Sequence, residues 1–241
     1  MSLGAWQEIA TELVQSYTVV RCDLRGQLLS PGPPPNDIGG HAVDVADLLR
    51  TLGLGPAHVL ATSFGAAVAL LLAVRFPGLV RSLCLVAATD RFDGEMASEV
   101  ERWRLACREA VASGDKGRLV DVMHPVAFSA AFRAEHAEQL GRRREQMQSL
   151  PDRWFEDLDA LMASTGPADL GSQLAKVRCP VLVVAAELDR FIPLERTRTL
   201  AHLIPGAEFQ NLEGAGHAAV LERPYEVARL VKGFLRRRSS E

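Results

Sequence analysis

The sequence predicts an α/β protein with a three-layer, mostly parallel sheet and a block of helices inserted into it. Short β-branched or apolar runs alternate with amphipathic helices near both ends of the chain, the order that parallel strands joined by right-handed crossovers require. Two of these runs, Leu83 to Ala88 and Val181 to Ala186, are apolar without interruption. Strands buried on both faces look like this. Between Asp90 and about Gln173 the alternation stops and only helical periodicity remains, so residues 1–89 and 173–241 are expected to form the core and residues 90–172 the insertion.

Each element has its own signal. Trp6, Ile9, Ala10, Leu13 and Val14 share one face at helical spacing, which predicts a helix over residues 4–16. Thr18 to Cys22 reads as a short strand, ending in Asp23-Leu24-Arg25-Gly26 before a proline-rich loop. A helix from about Ile38 to Leu52 stops at Gly53, and His58 to Thr62 is the next strand. The helix from Gly65 to Phe76 is apolar nearly all round and is closed by Pro77, as expected of one packed on a sheet. In the insertion, Met96, Val100, Trp103, Cys107 and Ala110 mark one helix, Leu119 to Met123 a short one, Ala130 to Gln148 a long charged one, and Trp154 to Met162 a fourth. Their aromatic and methionine side chains are expected to pack rather than to line a pocket. After Ala186 come Glu187-Leu188-Asp189, a helix from Pro193 to Leu203, a strand from Glu208 to Leu212, the loop Glu213-Gly214-Ala215-Gly216-His217, and a closing helix from Pro224 to about Arg237.

Composition narrows the functional classes. A chain of 241 residues with 48% hydrophobic and 24% charged residues is ordinary for a globular protein with a sizeable core. A net charge of -3 gives no electrostatic case for nucleic acid or an anionic membrane. The runs Arg142-Arg143-Arg144 and Arg236-Arg237-Arg238 read as solvated helix faces. Cys22, Cys84, Cys107 and Cys179 are scattered, which suits free thiols in a reducing compartment, and no leader or membrane-length apolar run is apparent. A cytoplasmic protein with a small-molecule substrate is the expectation. No metal-ligand spacing is present, and no cofactor is expected.

One serine draws the remaining features together. Ser63 stops a strand and opens a helix, with small residues at Ala61 and Gly65 two positions to either side, as a sharp strand-to-helix turn needs. A serine there can equally be a helix N-cap. Asp189 and His217 stand at equivalent places, each just past a predicted parallel strand, where sites form in open α/β sheets. The order Ser, Asp, His suits a serine hydrolase: His217 takes the hydroxyl proton, and Asp189 fixes the imidazole tautomer. Asp189 could instead cap the following helix, and Asp90 at the end of the preceding strand is its rival as the acid. Asp189 is preferred for its Pro193 context. The other histidines, His41, His58, His124, His136 and His202, read as surface or packing residues.

Several stretches together resemble the α/β-hydrolase fold superfamily over nearly the whole chain: Asp23-Leu24-Arg25-Gly26, the Ser63 turn, Arg75-Phe76-Pro77, Cys179 to Val183, Glu187-Leu188-Asp189 with Pro193, and Gly214 to His217 with Glu222-Arg223-Pro224. The resemblance is closest to the lidded branch of esterases, lactonases and carbon-carbon hydrolases. It implies an ancestral eight-stranded sheet, a helical lid at about 90–172 and acyl-enzyme chemistry without a cofactor. A serine at the turn argues against dehalogenases and epoxide hydrolases, which need a carboxylate nucleophile. Family members carry a His-Gly segment that supplies a second oxyanion donor, whereas Met1 to Trp6 resembles the stretch just after that segment. The first strands, one of them beside the Ser63 strand, are therefore expected to be absent, leaving the Phe64 N-H as the assigned donor. Losing one such donor costs roughly a hundred- to a thousand-fold in turnover. The resemblance thus implies a serine hydrolase of small carboxylic esters or lactones. A non-catalytic ligand-binding relative with an incomplete oxyanion hole, and carbon-carbon cleavage or acyl transfer on the same triad, remain alternatives.

Overall fold

The computed structural model describes residues 3–27, 30, 32–164 and 169–238. A 3-10 turn at Leu3–Trp6 leads into α1 (Gln7–Leu13), then α2 (Ile38–Thr51), β1 (Ala57–Thr62), α3 (Phe64–Arg75) and β2 (Val80–Val86). Six helices follow: α4 (Gly94–Ser113), α5 (Arg118–Ala127), α6 (Ala130–Glu135), α7 (Ala137–Gln148), α8 (Asp152–Ala163) and α9 (Gly171–Leu174). The chain then returns to β3 (Val181–Ala186), α10 (Leu194–Leu203), β4 (Glu208–Leu212), α11 (Ala219–Glu222) and α12 (Pro224–Arg238).

The four strands form one parallel sheet in the order β1-β2-β3-β4. Their registers pair Thr62 with Val86, Val86 with Val184, and Ala186 with Leu212, so all four C-terminal ends finish along one edge. The strand period of two explains the layering. Leu83, Leu85, Val181 and Val183 face a cluster with Leu70, Leu72 and Leu200, while Cys84, Val86, Leu182 and Val184 face one with Ile9, Val231 and Phe234. Helices α2, α3 and α10 therefore cover one face and α1 and α12 the other.

The inserted helices have a core of their own. Met96, Val100, Trp103, Cys107, Phe155 and Met162 pack together, and Phe191 and Ile192 from the loop after β3 join them. Arg104 bridges from α4 to Asp159 on α8 at 2.7 Å. The aromatic and methionine residues of this block pack as the sequence predicts.

Some expectations differ from the structure. Thr18 to Cys22 does not form a strand, since among the described residues no strand lies beside it to supply a ladder. β-branched residues favour a strand only where a pleated surface exists to receive them. The segment is instead tied to the N-terminal turn: Arg21 donates to the Leu3 carbonyl and to Gln7, and Asp23 accepts the Leu3 N-H at 2.9 Å. Among the described residues β1 pairs on one side only, with β2, and four strands stand where eight were implied. The long helix of residues 130–148 is broken at His136, whose φ of -110° and ψ of 26° separate α6 from α7. The short helix predicted over Leu119 to Met123 runs on through Pro125 to Ala127.

No helix among the described residues is long and apolar enough to cross a membrane, and no group of three or more His, Cys, Asp or Glu among them is placed to hold a metal. All four cysteines are free thiols, and burial pushes that of Cys107 up to about 12, which keeps it protonated.

His124 on α5 gives the fold a pH dependence. Burial, then Arg143 and Arg133, push its pKa from 6.5 down to about 4, against the pull of Asp121. The folded state thus resists a proton that the unfolded chain binds, so stability falls as pH drops from 6.5 toward 4. Replacing His124 by Gln should flatten this part of the curve, measured as the urea midpoint across that range. A parallel decline in both proteins would contradict it.

Candidate functional site

Ser63 links β1 to α3 with φ 53° and ψ -124°, and only Ala87 shares a positive φ among the described non-glycine residues. Such backbone costs about 1–3 kcal/mol and persists only where its surroundings impose it. Here the parallel ladder continues one residue past β1, with Ser63 N-H donating to the Val86 carbonyl at 3.1 Å, while the Ser63 carbonyl receives the Ala66 N-H at 2.9 Å. The chain is held from both sides. A Cβ on Gly65 would lie 4.0 Å from that of Ala61, an ordinary contact, so the turn accommodates alanine there and does not require glycine.

The N-cap reading of Ser63 is answered by its side chain, which caps nothing in α3. Its Oγ lies 2.9 Å from His217 Nε2. His217 Nδ1 lies 2.8 Å from Asp189 Oδ2. An ionised carboxylate only accepts, so Nδ1 carries the proton and Nε2 is left to accept from the serine hydroxyl. The second oxygen, Asp189 Oδ1, accepts the N-H groups of Phe191 and Ile192 at 2.8 and 2.7 Å. Asp189 does not cap α10, whose N-cap is Pro193 without a side-chain bond; its Oδ1 holds the turn before the helix while Oδ2 holds the imidazole. Both Asp189 and His217 are buried, and the Phe191 ring stands edge-on to the imidazole with Trp103 behind it.

The loops carrying these two residues are stitched together. Leu188 N-H donates to the Ala215 carbonyl at 2.8 Å, and the Glu187 carboxylate accepts the Gly214 N-H at 2.8 Å. Gly214 has φ +67°, a conformation that glycine adopts without strain. Asp90, the rival acid, is buried beside Arg91 with its carbonyl accepting the Leu170 N-H, and no hydrogen bond joins it to His217.

Phe64 opens α3, where N-H groups lack intrahelical acceptors and the helix dipole is positive. A developing negative charge near Ser63 would meet that end of the helix. The Phe64 ring is met edge-on by His41, a fully buried imidazole without a hydrogen-bond partner, whose pKa burial pushes down. A hydroxyl, a base, an orienting carboxylate and a free backbone donor can together carry out nucleophilic substitution at a carbonyl.

Two residues with no role read from the sequence stand close to His217. Glu222 accepts both the backbone N-H and the hydroxyl of Ser129, the residue between α5 and α6 that caps α6. Their separation of 93 positions leaves no local pattern to read.

Comparison with known proteins agrees with this architecture. The family described as "alpha/beta hydrolase fold" matches residues 1–224. The chain is 30% identical to a 2-hydroxymuconate semialdehyde hydrolase of Pseudomonas putida over 81% of this chain and 66% of that protein. It is 27% identical to a pimeloyl-[acyl-carrier protein] methyl ester esterase of Chromobacterium violaceum, over 96% and 89% of the two chains. A thermophilic esterase from Thermogutta terrifontis superposes with a TM-score of 0.85 at 25% identity, covering 99% of this chain and 86% of that one.

Ser63→Gly should be more stable than Ser63→Ala by about 1 kcal/mol and melt correspondingly higher, since both lose the hydroxyl and only glycine relaxes the φ. Equal melting temperatures in calorimetry would count against the strain.

Proposed function

The chain belongs to the alpha/beta hydrolase fold family, and from that premise we propose that it is a serine hydrolase of small carboxylic esters or lactones. The observation that supports this reading most is the unbroken line from Ser63 Oγ through His217 to Asp189, at 2.9 and 2.8 Å. Ser63 attacks the substrate carbonyl as its proton passes to His217 Nε2, and Asp189 stabilises the imidazolium that forms. The oxyanion is received by the Phe64 N-H at the positive end of α3. Collapse expels the alcohol, which takes the proton from His217 and leaves an acyl group on Ser63. Water, activated by the same imidazole, then releases the acid.

We further propose that residues 90–172 act as a lid, with Trp103 and Phe191 forming an apolar wall against His217. Such a wall suits a small apolar acyl or alkoxy group. The esterases of C. violaceum and T. terrifontis lend support as relatives of similar extent.

A fluorophosphonate probe should label the wild-type protein on Ser63, while Ser63→Ala and His217→Ala should not be labelled. Asp189→Asn should cut turnover of p-nitrophenyl acetate by roughly a thousand- to ten-thousand-fold, because the imidazole loses its preferred tautomer. Labelling at another residue, or none on folded protein, would refute the assignment.

A further inference from the structure

We infer that Glu222 is a positioning residue for His217, acting through Ser129 to fix the histidine loop against the proposed lid. The inference rests on the reading of His217 as the general base. His217 is buried, and its loop meets the acid loop at Gly214 and Ala215 and the backbone of residues 127–129 at Gly216 and Ala218. The acid loop holds it through Glu187 and Leu188, whose bonds end at Gly214 and Ala215. Those bonds stop two residues short of the histidine.

Beyond His217 the hold passes to the lid. Ala218 N-H donates to the Ala127 carbonyl at 2.7 Å. The Glu222 carboxylate reaches across from the end of α11 to take the Ser129 N-H at 2.8 Å and the Ser129 hydroxyl at 2.7 Å. Ser129 is itself 3% exposed, and its Oγ receives the Phe132 N-H at 3.2 Å, so the residue that Glu222 grips also starts α6. Phe128, Leu140 and Ala218 close an apolar cluster over the junction.

Gly216 shows how tightly the two backbones meet. A Cβ there would fall 2.6 Å from both Glu222 Oε1 and Ser129 N, and 3.0 Å from the Phe128 carbonyl carbon. The residue before the base can only be glycine while residues 127–129 stay where they are. His217 is thereby flanked by contacts to one short lid segment, Phe128 and Ser129 at position 216 and Ala127 at position 218, and Glu222 brings a carboxylate to that junction. Hydrogen bonds to an ionised acceptor are roughly twice as strong as neutral ones, which suits a carboxylate for holding a loop against a helix start. A small displacement of a reacting group can cost a hundred-fold in rate, so a loosened junction should appear in turnover before it appears in binding.

Glu222→Gln, Ser129→Ala, Ser129→Thr and their combinations test this, with p-nitrophenyl acetate kinetics, thermal melting and amide hydrogen exchange read on each protein. Glu222→Gln and Ser129→Ala should each lower kcat by roughly ten- to a hundred-fold with KM changed by less than about two-fold, and the double variant should lose no more than the worse single one. Ser129→Thr, which keeps the hydroxyl, should restore most of the rate. Amide exchange should rise together at residues 127–130 and 216–218 in Glu222→Gln. Losses of kcat that merely follow a lower melting temperature, additive effects in the double variant, or exchange rising at 127–130 alone would each overturn the inference. If the wild-type protein shows no Ser63 chemistry, the assignment of the base fails, while the exchange experiment still decides whether Glu222 joins the two segments.

Discussion

The parallel ladder that carries the Ser63 N-H to the Val86 carbonyl is the constraint on which the site depends. It extends the β1-β2 pairing one residue beyond the strand, and the first turn of α3 takes the Ser63 carbonyl on the other side. Between them the backbone is driven to φ 53°. Relaxation to an extended conformation would release strain but turn the hydroxyl away from His217. The strain is sustained by sheet and helix, both built from side chains with almost no exposure, Leu70, Leu72, Leu83 and Leu85 among them.

The other two residues reach Ser63 because the strand ends are in register. Val86 pairs with Val184, and Ala186 with Leu212, so the loops after β3 and β4 emerge side by side along the edge where β1 ends. Each loop then corrects the other through Glu187 with Gly214 and Leu188 with Ala215. Precision at His217 comes from bonds on both flanks of the loop, from the sheet side and from the inserted helices. A buried imidazole with hydrogen bonds at both ring nitrogens has little freedom left to lose when substrate arrives.

Most of this was legible in the sequence where a local pattern carries a local consequence. Uninterrupted apolar runs gave β3 and most of β2, and the small residues around Ser63 gave the turn. Chain order and the position of each residue just past a strand end point to Ser63, Asp189 and His217 as neighbours at one sheet edge. Thr18 to Cys22 failed because β propensity records a preference for a pleated neighbour, and none of the described strands lies there. The break at His136 depends on how α6 and α7 lie on their neighbours, which helical periodicity does not report. Glu222 and Ser129 were invisible as a pair for a different reason: a contact between residues so far apart leaves no spacing to recognise. His41 takes the packing role of the two the sequence allowed, fully buried against Phe64.

The central claim is that the strained turn presents Ser63 Oγ as the atom that accepts the acyl group. Rapid acid quench of the wild-type protein with p-nitrophenyl acetate, followed by peptide mass spectrometry, tests it most directly. The account predicts one acetyl group, carried on Ser63, that forms with the burst of p-nitrophenol and disappears as turnover proceeds. An acetyl group on another side chain, or release of p-nitrophenol with no acylated intermediate on Ser63, would contradict it.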